Sequence, residues 1–193
     1  MPSSAPLPGE PAFLGENCRP ASPAPAILAQ RLWRIVQATL FRWSPEKAHR
    51  WRAWLLRLFG ADIPDCGRIV VFPTATVYFP WKLRLEPRSM IGREVRIYNL
   101  ATVTLHRGAN VSQLTHLCAG THDYNRWDMP LIAAPIVIGA NAWLGADVFV
   151  GPAVTVGELC VVGARSVVIT DLPARTVCAG NPCRPLKPRR EPE

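Results

Sequence analysis

The chain has 193 residues, 49% hydrophobic and 19% charged, which excludes a disordered polymer and suits one cored domain with a small accessory segment. Lys and Arg number 22 against 14 Asp and Glu, a net charge of +8 that favours anionic partners without choosing among a phosphate ligand, a membrane surface and nucleic acid. No apolar run approaches the length of about 18 residues needed to span a bilayer, and the opening MPSSAPLPGEPAFLGENC lacks the pattern of a signal peptide.

Residues 1–26, rich in Pro, Ala and Ser, read as a disordered or loosely packed arm. Residues 27–60 read as two amphipathic helices. In the first, 27–43, Leu28, Leu32, Ile35, Val36 and Leu40 recur at helical spacing. The second, 45–59, is expected to open with Ser44 as cap and Pro45 at the first position. Its apolar stripe is Ala48, Trp51, Leu55 and Leu58, and Gly60 stops it. Trp33, Trp43, Trp51 and Trp54 lie among Arg31, Arg34, Arg42, Lys47, Arg50, Arg52 and Arg57, opposed only by Glu46. Two readings stay open: a cap packed on the main domain beneath snorkelling arginines, or interfacial helices in peripheral contact with anionic lipid through residues 27–59. No nucleic-acid-binding motif accompanies the charge, so nucleic acid is not an expected partner.

From residue 69 to about 172 a repeat takes over. Ile138-Gly139, Leu144-Gly145, Val150-Gly151, Val156-Gly157 and Val162-Gly163, then Val168, follow one another at steps of six. Four positions after each aliphatic stands Ala142, Val148, Val154, Cys160 or Ser166. Earlier the beat is looser: Val71, Val77, then eight residues to Leu85, Ile91, Ile97, eight again to Leu105, Val111 and Leu117. A period of six fits neither a helix nor an alternating strand; it fits a coil with three flat faces whose aliphatics point to the axis. Glycine beside each aliphatic is expected to let the backbone turn the corner. Between four and five coils follow, spanning residues 61–187 with a basic tail at 188–193. The loop 118–135 breaks the beat. Of the six cysteines none forms a C-x-x-C pair, so a reducing compartment is expected and Cys160 reads as a buried free thiol.

This "[LIV]-G-x-x-[small]-x" pattern resembles the hexapeptide-repeat acyltransferases, which implies a left-handed parallel β-helix behind a short N-terminal helical segment. LWRIVQATLFRWSP, WRAWLLRLFGA, PWKL, IYNLATVTL, SQLTHLCAGTHDY, PIVIGANAWLGADVFVGPAVTVG and VVGARSVV resemble more closely the colanic-acid-type acetyltransferases, relatives of the nodulation and galactoside O-acetyltransferases. The resemblance implies a cytoplasmic homotrimer, peripheral at most to the inner face of the membrane. It implies acetyl-CoA as donor and a free, lipid-linked or nucleotide-linked sugar as acceptor, with no metal.

It also implies roles. His122, in the "A-G-T-H-D" of the loop, matches the general base, and an imidazole is mostly neutral at cytoplasmic pH. Asn99 matches an asparagine near the acceptor, with a β-helix corner as the alternative; Asp123 would meet substrate or orient His122. Trp143 would flank the groove or pack between subunits. Gly145, Ala146, Gly163 and Ala164 would line the pantetheine path, and Arg184 would meet the coenzyme's phosphates. Thr170 stands where relatives often carry lysine, which weakens that end of the donor site. Of the other histidines, His49 reads as solvated, His106 as a corner residue and His116 as an outward face residue. A zinc carbonic-anhydrase-like alternative would need three converging imidazoles, and a non-catalytic scaffold at a membrane assembly is the other.

Overall fold

The beat of six records which side chains reach an axis. In the computed structural model, which describes residues 24–190, successive turns of the chain send aliphatics inward in threes. Val71, Val77 and Leu85 form one set, and Ile91, Ile97 and Leu105 the next. Val111, Leu117 and Ile138 follow, then Leu144, Val150 and Val156, then Val162, Val168 and Leu172; all are buried. Ala142, Val148, Val154, Cys160 and Ser166 fill the space between them, buried as expected. Burial pushes the Cys160 thiol up to about 12, with Cys178 beside it adding to the effect.

The strands between corners are short and pair in parallel with the coils on either side, at about 4.8 Å per coil. The first sheet stacks Val70–Val71, Met90–Ile91, Asn110–Val111, Trp143–Leu144, Val161–Val162 and Thr176–Ala179. It ends on Arg184–Pro188, which turns back antiparallel. The second stacks Thr76–Val77, Arg96–Tyr98, His116–Cys118, Phe149–Val150 and Val167–Val168. The third stacks Leu83–Leu85, Val103–Leu105, Ile136–Ile138 and Thr155–Val156.

The glycines serve a purpose other than the expected one. Within this regular run the residues with φ near +60° are Asn141, Asp147, Ala153, Leu159 and Arg165, again every sixth, two positions after each glycine. They turn the corners, at a cost of about 1 kcal/mol or more each that the ladders must offset. At all but Gly151 glycine is needed because the next coil is too close: a Cβ on Gly157 would lie 2.4 Å from the Ala174 nitrogen, and one on Gly139 2.6 Å from that of Glu158.

A stack of coils has two open ends, and helices close the first. Helix α1 (Ala24–Val36) runs on into a π-helical turn, Gln37–Phe41, and α2 spans His49–Leu58. The expected arm at 1–26 falls outside the described residues except for 24–26, which begin α1. Every face of the first coil has its free edge satisfied. The Val77 carbonyl accepts from Trp33 Nε1 at 2.7 Å and its N–H donates to Gln37 Oε1 at 2.8 Å. The Val71 carbonyl accepts from Arg52 Nε at 2.6 Å, and Asp62 pairs with Leu83 and Leu85. An open edge would otherwise be a template for another chain.

Several expectations about the helices are corrected. The second begins at His49 because Arg52 gathers the preceding turn, its guanidinium donating to Ser44 Oγ, the Pro45 carbonyl and the Glu46 carbonyl. Ser44 caps nothing there; its hydroxyl donates to the Phe41 carbonyl. Arg52 does not snorkel; it is wholly buried. The docked face of α1 and its π-turn is Trp33, Gln37 and Phe41, while Leu28, Leu32, Ile35 and Leu40 face outward. His49 is not simply solvated, since Nδ1 lies 2.9 Å from the Val71 carbonyl.

Arg52→Ala strands these buried acceptors and should cost about 2–4 kcal/mol, read as a lowered urea midpoint; Arg52→Lys should not restore it, because one ammonium cannot span them.

Candidate active site

All the irregularity in the coil falls at one corner. Between the second and third sheets the first two coils carry two extra residues each, which explains the eight-residue steps to Leu85 and Leu105. On the third coil the same corner expels the chain from Ala119 to Pro135. The excursion is an ordered hairpin: Gly120–His122 pairs antiparallel with Leu131–Ala133, with His122 opposite Leu131. Its root packs tightly, for a Cβ on Gly120 would meet Leu100 Cδ1 at 2.5 Å.

The hairpin holds the His122 ring in one orientation. Nδ1 lies 2.7 Å from the carbonyl of Met129, a residue whose φ of 38° turns that carbonyl inward. A carbonyl can only accept, so Nδ1 carries the proton and Nε2 keeps its lone pair. The ring is half-exposed. Asp123 does not orient it: its carboxylate accepts from the Asn125 N–H at 3.0 Å and closes the turn. Arg126 and Asp128, paired at 2.7 Å, brace the tip, leaving Tyr124 and Trp127 more than 80% exposed.

Asn99 sits at the same corner one coil earlier but is wholly buried. Its Oδ1 accepts from the Phe79 N–H at 3.0 Å and its Nδ2 donates to the Phe79 carbonyl at 2.6 Å. The corner alternative describes it, and with the residue buried the amide presents no exposed face to a sugar in this arrangement. On the outer face of the second sheet, Tyr78 and Tyr98 meet edge to face at 4.9 Å, and His116 meets Phe149 at 5.7 Å. Burial, then the Arg96 guanidinium beside it, holds His116 below the usual imidazole range. His106 sits at its corner against Glu86, 3.0 Å away.

The other expected residues lie elsewhere. Gly145, Ala146, Gly163 and Ala164 stack at the corner between the first and second sheets on the last two full coils. Trp143 is half-exposed on the first sheet, its Nε1 donating to Ser112 Oγ at 2.9 Å. Arg184 is exposed at the start of the antiparallel return strand. Within one chain, therefore, His122 and the corner formed by Gly145, Ala146, Gly163 and Ala164 lie on opposite edges of the second sheet. Sequence reasoning missed Met129, whose carbonyl carries no side-chain signal, and Tyr124 and Trp127, which the lost beat could have drawn attention to. Among the described residues no three of His, Cys, Asp and Glu come together as a metal site would need.

Residues 135–170 match the bacterial transferase hexapeptide pattern of six repeats. The chain is 46% identical over 163 residues to the colanic acid biosynthesis acetyltransferase WcaF of Escherichia coli (strain K12), covering 84% of this chain and 88% of WcaF. The chain belongs to the hexapeptide-repeat acetyltransferase family. The same match is found with WcaF of Shigella flexneri. The hexapeptide-repeat acetyltransferase VCA0836 of Vibrio cholerae superposes with a TM-score of 0.77 at 27% identity, over 89% of this chain and 96% of that one; it has also been solved with acetyl coenzyme A. A galactoside acetyltransferase in complex with coenzyme A shares the fold at 21% identity, with a TM-score of 0.66 over 89% of this chain and 86% of that one. The fold of this acetyltransferase is the left-handed parallel β-helix.

His116 also yields a pH test. Its folded pKa is depressed, so the unfolded chain binds the proton more readily; this contribution to stability is present above the ordinary imidazole pKa of about 6.5 and is lost as pH falls below it. His116→Gln should flatten that part of the acid limb in denaturation measured across pH.

Proposed function

We propose that this acetyltransferase moves the acetyl group of acetyl-CoA to a hydroxyl of a sugar in exopolysaccharide assembly, with His122 as general base. The fixed tautomer of His122 carries the reading: a half-exposed ring held on a braced hairpin with Nδ1 donating leaves Nε2 as the nitrogen suited to proton abstraction. Nε2 takes the hydroxyl proton as the acceptor oxygen bonds to the thioester carbon, and the carbonyl electrons move onto oxygen. Collapse restores the carbonyl, breaks the carbon–sulfur bond, and the imidazolium returns its proton to the departing thiolate.

The stacked corner of Gly145, Ala146, Gly163 and Ala164 is the proposed pantetheine path, and Arg184 the proposed phosphate contact. In the single chain this corner and the hairpin are separated by the width of the second sheet, which supports a homotrimer whose site is closed by a neighbouring copy. Tyr124 and Trp127 at the hairpin tip are the proposed contacts. Asp123 and Asn99 then act by bracing the hairpin and its corner, and Trp143 flanks the donor side. The proposed working place is cytoplasmic, peripheral at the inner face of the membrane through residues 27–59, where lipid-linked saccharides are within reach.

His122→Ala should lower kcat by about a hundred- to ten-thousand-fold while acetyl-CoA binding holds. The assay is labelled acetyl-CoA with nucleotide-linked and lipid-linked sugars. An unchanged rate would refute the role. Sedimentation should give three times the 21.3 kDa chain; a monomer at working concentration counts against the shared site.

A further inference from the structure

Coil stacking brings Arg68, Arg88 and Arg107 to one corner, between the third and first sheets, on three successive coils. The turn before α2 and its first residues add Lys47, His49 and Arg50. Together they line a cleft of about 850 Å³ into which no acid projects. The acids close by are already engaged. Asp65 pairs with Arg68 at 3.3 Å, Glu46 with Arg93, and Glu86 with Arg84, the His106 ring and the Arg107 N–H. Lys47, Arg50, Arg88 and Arg107 carry no ion pair among the described residues.

Holding five cations around one concavity costs mutual repulsion, and a concave wall concentrates the resulting field. Guanidinium forks match tetrahedral oxyanions. We propose that this cleft is a binding site for a phosphate or diphosphate group. It lies at the N-terminal coils, whereas the proposed donor corner lies on the last full coils.

The neighbouring surface bears on what carries that phosphate. Along α2 the cleft leads into a groove holding Arg50, Trp51, Trp54 and Arg57, the two rings stacked at 5.2 Å. Beyond it, Leu40, Trp43 and Trp51 line a third groove, apolar almost throughout. Exposed rings and aliphatics directly beside a basic cleft suit a phosphate with an apolar tail. The source is an anionic lipid. This source rests on the peripheral contact proposed above; the site itself does not, and neither depends on His122.

The test uses the full chain. Calorimetry with inorganic pyrophosphate reads the cleft, and flotation with phosphatidylcholine vesicles, with or without phosphatidylglycerol, reads the lipid. The wild type should bind pyrophosphate and float with anionic vesicles alone. Arg50→Gln/Arg88→Gln/Arg107→Gln should weaken vesicle binding about a hundredfold, since each basic residue near a surface contributes about fivefold, and should lose pyrophosphate. Trp43→Ala/Trp54→Ala should keep pyrophosphate and lose the vesicles. Pyrophosphate binding without flotation keeps the site and assigns it a soluble phosphate. Wild type binding neither, or a folded triple variant binding both as before, overturns the proposal; if that variant misfolds, Arg107→Gln alone should still show the fivefold loss. A smaller sedimenting species for the tryptophan variant, with no flotation of the wild type, gives the apolar face to a second copy and overturns the lipid source. Acetyl-CoA affinity should stay unchanged in the triple variant, so failure here is separable from failure of the acetyl-transfer reading.

Discussion

Every coil must hydrogen-bond to its neighbours along three faces at once, and this spacing governs the rest of the molecule. It leaves no room for a Cβ at the inner corners, which is why Gly139 and Gly157 stand where they do. It forces left-handed backbone onto Asn141, Asp147, Ala153, Leu159 and Arg165, of which only the asparagine and the aspartate are suited to it. It also consumes the backbone donors and acceptors along each face, so a regular coil offers a substrate little beyond its outward side chains and corners. A side chain projecting well clear of the prism has to come from where the register slackens. That happens at one corner, twice by two residues and then by a whole hairpin.

The axis was legible because burial there is strictly periodic. Five steps of six without a slip can hardly arise otherwise, and each aliphatic so identified is buried. The helices were misread for a physical reason: amphipathic spacing reports a stripe, not which side of the stripe meets the protein. Leu28, Leu32 and Ile35 form the better stripe, yet Trp33 and Phe41 dock, because the open edge of the first coil needs hydrogen-bond partners as well as apolar cover. Arg52 was similarly opaque. A buried arginine is rare enough that sequence favours the surface, and only the convergence of Val71, Ser44, Pro45 and Glu46 oxygens makes its burial tolerable.

At the candidate site, legibility divided along another line. The side chain proposed to do the chemistry, His122, could be named from sequence, its role remaining a proposal; the group that orients its ring, which the structure does place, could not. Asp123 was the natural candidate, but in a hairpin neighbouring residues project to opposite faces, and the aspartate closes its own turn instead. The orienting oxygen belongs to the backbone of Met129, across the hairpin. Asn99 illustrates the converse. An amide can read a hydroxyl, and it can equally replace two backbone partners, as it does on Phe79 where the extra residues break the ladder.

The hairpin and the helical cap answer the same geometric difficulty from two directions. A prism of paired strands is stiff, and its flat faces bind little. Functional surface can be added only at a corner, by expelling chain, or at an end, by laying something across the open edge. The corner solution places one imidazole on a short hairpin whose root at Gly120 packs closely against Leu100 of the preceding coil. The end solution spends polar side chains on the edge and leaves tryptophans and arginines outward, close to corner arginines that the coil stack has aligned independently. The two additions share the third sheet and its flanking corners. A phosphate held in that cleft would therefore sit one face of the prism away from the corner that carries the imidazole.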